Sequence, residues 1–213
     1  MIALDKYLSD LPLLHTWDNG STWNTGGFSC EIFEAVHPFL SEGLDILETG
    51  AGNSTIFFLL HKPHRLVSIA PEADLFERIG SYCDRHNVDR SHAEVYVDRS
   101  EWVLPTLARD QQFDFILIDG GHGWPVVFVD FCYANVMLRE EGILAIDDTQ
   151  LHSVKELGRL LMHQPGFEFL TTSSKTALFK KTTDARFLPE WMEQPYIASR
   201  SEDYQKSAAP YAI

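Results

Sequence analysis

From Leu44 to Asp147 the chain alternates short apolar runs with segments of helical length, and this alternation leaves few folds open. The runs are Leu44–Glu48, Arg65–Ala70, Ala93–Asp98, Phe113–Asp119 and Gly142–Asp147. Each has the length of a strand and is largely apolar, as parallel strands covered on both faces must be. Ser54–His61, Ala73–His86, Glu101–Arg109 and Val126–Leu138 lie between them with helical spacing of their apolar residues. Strand and helix repeated in this order predict an α/β fold with a Rossmann-like, doubly wound, mostly parallel sheet. A further helix is expected from His152 to His163. Phe167–Thr172 and Thr176–Lys181, around Ser173-Ser174, then read as a C-terminal antiparallel hairpin added to the sheet.

The flanks are read separately. Residues 1–43 hold two short amphipathic helices, Leu4–Leu14 and Glu31–Leu40, joined by an irregular loop rich in Gly, Thr, Asn and Trp. This segment is expected to act as a substrate or cofactor lid. Residues 44–181 form the sheet domain. Residues 182–213 form a tail with Pro and charge but weak periodicity, suited to wrapping the domain or joining a homodimer.

Composition narrows the partners. The formal net charge of −14 is the wrong sign for a surface that neutralises many phosphates, so nucleic acid is not an expected partner. Cys30, Cys83 and Cys132 lack CxxC spacing and are odd in number, which fits reduced structural thiols. The first fifteen residues mix charge with apolar side chains, unlike a signal peptide, and no segment approaches a membrane span. A cytoplasmic protein with no membrane partner is the expectation.

In an open α/β sheet, ligands bind beyond the carboxyl ends of the strands. There the first strand runs into Glu48-Thr49-Gly50-Ala51-Gly52-Asn53-Ser54-Thr55. Gly50 and Gly52 permit a tight turn and close approach of a ligand to bare backbone. Ser54 or Asn53 would cap the next helix, whose free N–H groups open into the same space. A dinucleotide fingerprint wants a third glycine where Thr55 stands. This E-x-G-x-G-x-S-T form resembles the first motif of class I S-adenosylmethionine-dependent methyltransferases, particularly their small-molecule O-methyltransferase branches. By element order the resemblance spans Glu31 to Lys181. It implies that S-adenosylmethionine is held by Glu48, Gly50, Ala51, Gly52, Ser54 and Thr55. The leading acid would orient the loop or approach the cofactor's amino group.

The second strand departs from that pattern. The family ends it with an acid for the ribose hydroxyls, and here that position holds Ala70, with Glu72 two residues on. Glu72 reads equally as a ribose ligand or as a helix N-terminal acid. After the third strand, Asp98-Arg99-Ser100 occupies the place where the resemblance puts adenine contacts, so Arg99 and Ser100 are cofactor candidates.

Strand four ends in Asp119-Gly120-Gly121-His122 and strand five in Asp147-Asp148-Thr149. A carboxylate at the end of a buried strand is costly unless it is paired or bound to a cation. Asp119, Asp147 and Asp148 are expected to converge, and a hard divalent cation such as Mg²⁺ would relieve their repulsion. The arrangement is similar to metal-dependent catechol and acyl-CoA-linked O-methyltransferases. That likeness implies a metal on Asp119, Asp147 and Asp148 that lowers the pKa of a substrate hydroxyl. It also puts a base three residues after the strand-four acid, at His122, and makes Asp119 and His122 the catalytic candidates. Other readings stay open. Asp147 and Asp148 could cap the helix near His152, Asp119 could bond the glycine turn, and His122 could be a ligand, a base or structural.

Trp17, Trp23 and Phe28 lie in the first loop, near the Thr25-Gly26-Gly27 turn, as pocket aromatics or as core anchors. Trp124-Pro125 is placed to form a pocket wall, while His15, His37, His61 and His163 read as packing or surface residues. The leading expectation is thus methylation of a small molecule at oxygen with metal assistance. Metal-independent transfer, or a degenerate fold that binds without turnover, are the alternatives. Thr55 and the missing strand-two acid disfavour a nicotinamide dehydrogenase.

Overall fold

The computed structural model describes residues 2–16, 20–23, 30–108 and 111–201. In chain order these form α1 (Leu4–Ser9), β1 (His15–Thr16), β2 (Thr22–Trp23), α2 (Cys30–Val36), β3 (Asp45–Thr49), α3 (Asn53–Leu60), β4 (Arg65–Ile69) and α4 (Ala73–His86). Then follow β5 (Ala93–Tyr96), α5 (Ser100–Leu107), β6 (Phe113–Ile118), α6 (Val126–Met137), β7 (Leu138–Ile146) and α7 (His152–Leu161). The hairpin strands β8 (Phe167–Ser173) and β9 (Thr176–Lys181) and the short α8 (Pro195–Ala198) complete the described chain. The aromatics and turn expected at Trp17, Thr25-Gly26-Gly27 and Phe28 lie outside the described residues, as does the end of the tail.

Seven strands make one sheet in the order β5-β4-β3-β6-β7-β9-β8. The first five run parallel, and β9 joins β7 antiparallel. Successive strand residues point to opposite faces, so each apolar run supplies two cores. Leu47, Val67, Ile116 and Leu144 pack with α5, α6 and α7 on one side. Ile46, Leu66, Phe115 and Ala145 pack with α1 to α4 on the other. The expected doubly wound sheet with its C-terminal hairpin is therefore the observed one.

Three local boundaries differ from the sequence pattern for physical reasons. The first helix stops at Ser9 instead of Leu14, because Pro12 removes an N–H and disfavours helix before it. Pro38 likewise ends the second helix at Val36, and a single 3₁₀ turn, His37–Phe39, follows. The strand β7 begins four residues early, at Leu138, where Arg139-Glu140-Glu141 hides it behind a polar run. The loop read as irregular contains the small pair β1–β2. No described helix is long and apolar enough to cross a membrane.

The flanks share the cores of the sheet. Tyr7 on α1 is fully buried, and its hydroxyl donates to the Asn53 carbonyl at 2.7 Å. Tyr196 packs into the α5–α7 core, and the Asn135 amide donates to the Arg186 carbonyl at 3.0 Å. Each end therefore braces an element that borders the strand ends.

Candidate active site

The parallel ladder continues past the strand ends and sets the loops that leave them. Gly50 N–H donates to Ile69 O at 2.8 Å, Asp119 N–H to Thr49 O at 2.9 Å, and Asp147 N–H to Ile118 O at 3.0 Å. Above these links lies a cavity of about 580 Å³, within the range of small-molecule sites. Its wall includes Gly50 to Ser54, Ala70 to Glu72, Arg99 to Glu101, Asp119 to His122, Asp147, Asp148 and Lys175. Most candidates from the five loops that leave the parallel strands thus meet around one space.

Glu48 and Thr55 stand one layer behind that wall. Glu48 is fully buried, and the hydroxyls of Ser54, Thr55 and Ser68 all donate to its carboxylate at 2.6 Å. Thr55 Oγ1 also accepts the Gly52 N–H at 3.0 Å. Gly52 rather than Ser54 or Asn53 is therefore the residue at the helix cap, and Glu48 is tied to the first turn of that helix rather than exposed to the cavity. Burial pushes the Glu48 carboxyl up to about 7, against the downward pull of the three hydroxyls.

The glycines leave backbone bare where the sequence requires it. Gly50 has φ +88°, and a Cβ there would sit 2.3 Å from the Asp119 carbonyl oxygen. Gly52 has φ +156°, and its Cβ would meet His15 Nε2 at 2.9 Å. His15, read as a packing residue, thus borders the cavity, a placement set by the β1–β2 pair.

Glu72 is exposed at the rim and begins α4 without a side-chain cap bond. Arg99 donates to Glu101 at 2.6 Å, and Ser100 opens α5 beside them. Trp124 is largely exposed and stacks edge-on to Phe128 at 4.8 Å; it is not among the lining residues.

At the other end of the cavity, His122 Nε2 lies 3.5 Å from Asp119 Oδ1 and 3.4 Å from Asp148 Oδ2. The Ser153 hydroxyl holds the His122 carbonyl and so fixes the turn. The adjacent Asp119 carboxylate raises the His122 pKa, partly offset by burial. Burial also raises Asp119, although a quarter of its side chain stays open to the cavity.

The expected convergence of three carboxylates contains a fourth member that the sequence reading missed. Lys175, in the β8–β9 turn, places its Nζ on Asp148 Oδ1 and 3.2 Å from Asp147 Oδ2. Asp147 also accepts from the Thr176 hydroxyl. Neither acid caps α7, whose first turn has no side-chain cap bond. Burial opposes the Lys175 charge, but the two carboxylates outweigh it and hold its pKa above the usual value. Lys175 in turn holds Asp148 below the usual carboxylate range despite burial. Among the described residues, the donor atoms of Asp119, His122 and Asp148 come within 4.8 Å of one another, while Asp147 lies outside this group.

Residues 47–149 match the family model of a methyltransferase domain. The fold is that of a class I methyltransferase. Among solved structures with this methyltransferase fold is the O-methyltransferase TomG from Streptomyces achromogenes, in complex with S-adenosylmethionine. It is 21% identical, with 71% of this chain and 78% of that chain covered at a TM-score of 0.59. An O-methyltransferase from Bacillus cereus, in complex with SAH, is 18% identical over 71% of this chain and 78% of that chain, with a TM-score of 0.57. An rRNA methylase from Streptococcus thermophilus is 15% identical over 71% of this chain and 94% of that chain, with a TM-score of 0.56. O-methyltransferases and an rRNA methylase thus share this fold, so the fold alone does not choose an acceptor. No curated protein matches the chain.

Proposed function

We propose that this chain transfers a methyl group from S-adenosylmethionine to a hydroxyl oxygen of a small molecule, with His122 accepting the proton. The observation that carries this reading is one continuous cavity. It joins the bare glycine turn after β3 to the His122–Asp119 pair after β6. Charge supports it as well: Glu72, Glu101, Asp119, Asp147 and Asp148 face Arg99 and Lys175, an acidic excess suited to a cationic cofactor.

The residues present fit that cofactor. The turn from Gly50 to Ser54 would hold its amino-acid end, Glu72 its ribose, and Arg99 with Ser100 its adenine. When bound, the cofactor supplies an electrophilic methyl carbon on a sulfonium sulfur. The chain does the rest. His122 Nε2 would take the proton that the acceptor's hydroxyl loses. Asp119 stabilises the resulting imidazolium across 3.5 Å. The acidic site favours an uncharged or cationic acceptor over a polyanion such as RNA.

The donor set fits a divalent ion less well. Two of the three carboxylates expected to hold Mg²⁺, Asp147 and Asp148, already share the Lys175 ammonium. An ion on Asp119, His122 and Asp148 would face that ammonium across a single carboxylate, like charge against like. It would also take the Nε2 lone pair that proton transfer requires. We therefore read the transfer as independent of a metal.

The test is calorimetric titration with S-adenosylmethionine, SAH and NAD, followed by transfer of an isotopically labelled methyl to a panel of hydroxylated small molecules. Binding of the first two, no binding of NAD, and label recovered as an O-methyl ether are expected. No binding of S-adenosylmethionine would end this reading.

A further inference from the structure

We infer that Lys175 is a built-in cation for the strand-end carboxylates, doing in this chain what a divalent ion would otherwise do there, and that its removal opens a divalent-metal site. The inference rests on the methyl-transfer reading for its meaning but not for its measurement. Lys175 lies in the hairpin turn that places β9 beside β7, next to a residue, Ser174, at φ +53°. Its backbone is fixed to the very loop whose acids it neutralises. Both the N–H and the hydroxyl of Thr149 donate to the Lys175 carbonyl, at 2.9 and 2.8 Å. Asp147, Asp148 and Thr149 therefore hold Lys175 through its main chain and its ammonium together.

The consequence is a division of labour between the carboxylates. Asp147 is almost fully buried, with the Thr176 hydroxyl donating to Oδ1 and the Lys175 ammonium 3.2 Å from Oδ2. Asp148 spends Oδ1 on Lys175 and on the Gln150 amide at 2.9 Å, which turns Oδ2 toward His122. Lys175 is thus a positioning residue: it fixes the carboxylate that flanks the proton acceptor. A unit charge tethered at this spot also repels any second cation, since at a few ångströms in a partly buried site that repulsion exceeds the thermal energy several-fold. Without the lysine, Asp119, Asp148 and His122 would face one another as oxygen and nitrogen donors with no counter-charge, the combination that binds Mn²⁺ or Mg²⁺.

The experiment is a calorimetric Mn²⁺ titration of chelator-treated protein, with and without SAH, in the wild type and in Lys175→Met, Lys175→Gln and Lys175→Arg. The wild type and Lys175→Arg are expected to show no saturable binding up to millimolar Mn²⁺. Lys175→Met and Lys175→Gln should bind at least about tenfold more tightly than wild type, and Asp148→Asn added to either should abolish the gain. A lysine that merely braced the hairpin would produce no such gain. Saturable Mn²⁺ binding by the wild type, lost in Asp148→Asn, would overturn the inference. So would folded Lys175→Met and Lys175→Gln proteins that bind no better than wild type. Should both neutral variants fail to fold, as judged by near-ultraviolet circular dichroism, the wild-type titration decides alone. Failure of S-adenosylmethionine to bind is read in a separate titration. It would remove the methyl-transfer reading while leaving the Mn²⁺ comparison intact.

Discussion

Gly50 and Asp119 touch so closely that a single methyl group cannot be placed between them: a Cβ on Gly50 would fall 2.3 Å from the Asp119 carbonyl oxygen. The contact joins the turn expected to cradle the cofactor to the turn that carries the proposed proton acceptor, His122. Because the obstructing atom belongs to the backbone, no side-chain rotation relieves the clash. Gly50→Ala should therefore shift both loops, and the positive φ of Gly50 adds strain of its own. The expected outcome is a loss of about 1–3 kcal/mol in stability together with a large loss of S-adenosylmethionine affinity. Chemical denaturation and calorimetry measure the two, and unchanged affinity would separate the turn from the cofactor.

Glu48 gives a prediction in pH. Its folded carboxyl is held at about 7, above an ordinary value of 4.5. Between those values the folded protein keeps a proton that the unfolded chain has released. Its contribution to stability is thus fully present below 4.5, falls as pH rises, and levels off above about 7. Glu48→Gln cannot titrate there. The difference in melting temperature between Glu48→Gln and wild type should therefore move in favour of the variant from pH 4.5 to 7. A difference that stays flat across this window would show that the burial of Glu48 is already offset by its three hydroxyl donors.

Much of this arrangement is legible in the sequence because it lies within one strand and the turn after it. Asp119, Asp147 and Asp148 stand where apolar runs end, and an acid at such a place announces itself. Lys175 does not. A lysine beside Ser173-Ser174 looks like any solvated hairpin turn, and its role depends on β9 lying against β7 with Ile146 opposite Ala177. His15 is hidden for the same reason, since nothing local says that the segment before the sheet folds back to Gly52. The role of Glu48 was legible only in outline. Ser54 and Thr55 follow it by six and seven residues within the same strand–turn–helix, but Ser68 arrives from the neighbouring strand. Tertiary pairing, not local pattern, decides these cases.

His122 sets the expected pH profile of turnover. A proton acceptor works only when unprotonated, so the rate with a given acceptor molecule should rise with pH. The midpoint should lie on the alkaline side of 6.5, because Asp119 raises the His122 pKa. His122→Asn should lower turnover by about 10²–10⁴-fold and remove that limb, with S-adenosylmethionine affinity unchanged. Initial rates over a pH series check both points. A variant with wild-type rates would show that the acceptor loses its proton elsewhere.

Glu72 tests how the chain manages with Ala70 where an acid is expected at the end of β4. Its carboxylate is exposed at the cavity rim and makes no cap bond to the helix it begins, so stability gives it little reason to be there. Ribose hydroxyls donating to an ionised carboxylate contribute about 1.5–3 kcal/mol, or a factor of about 10–100 in affinity. Glu72→Ala should therefore weaken S-adenosylmethionine binding by that factor while its melting temperature stays near wild type. Ala70→Asp, which restores an acid at the strand end, should recover part of the loss in the Glu72→Ala background. The pair of substitutions distinguishes a ribose ligand from a helix-end charge, because the latter would change stability and leave affinity alone.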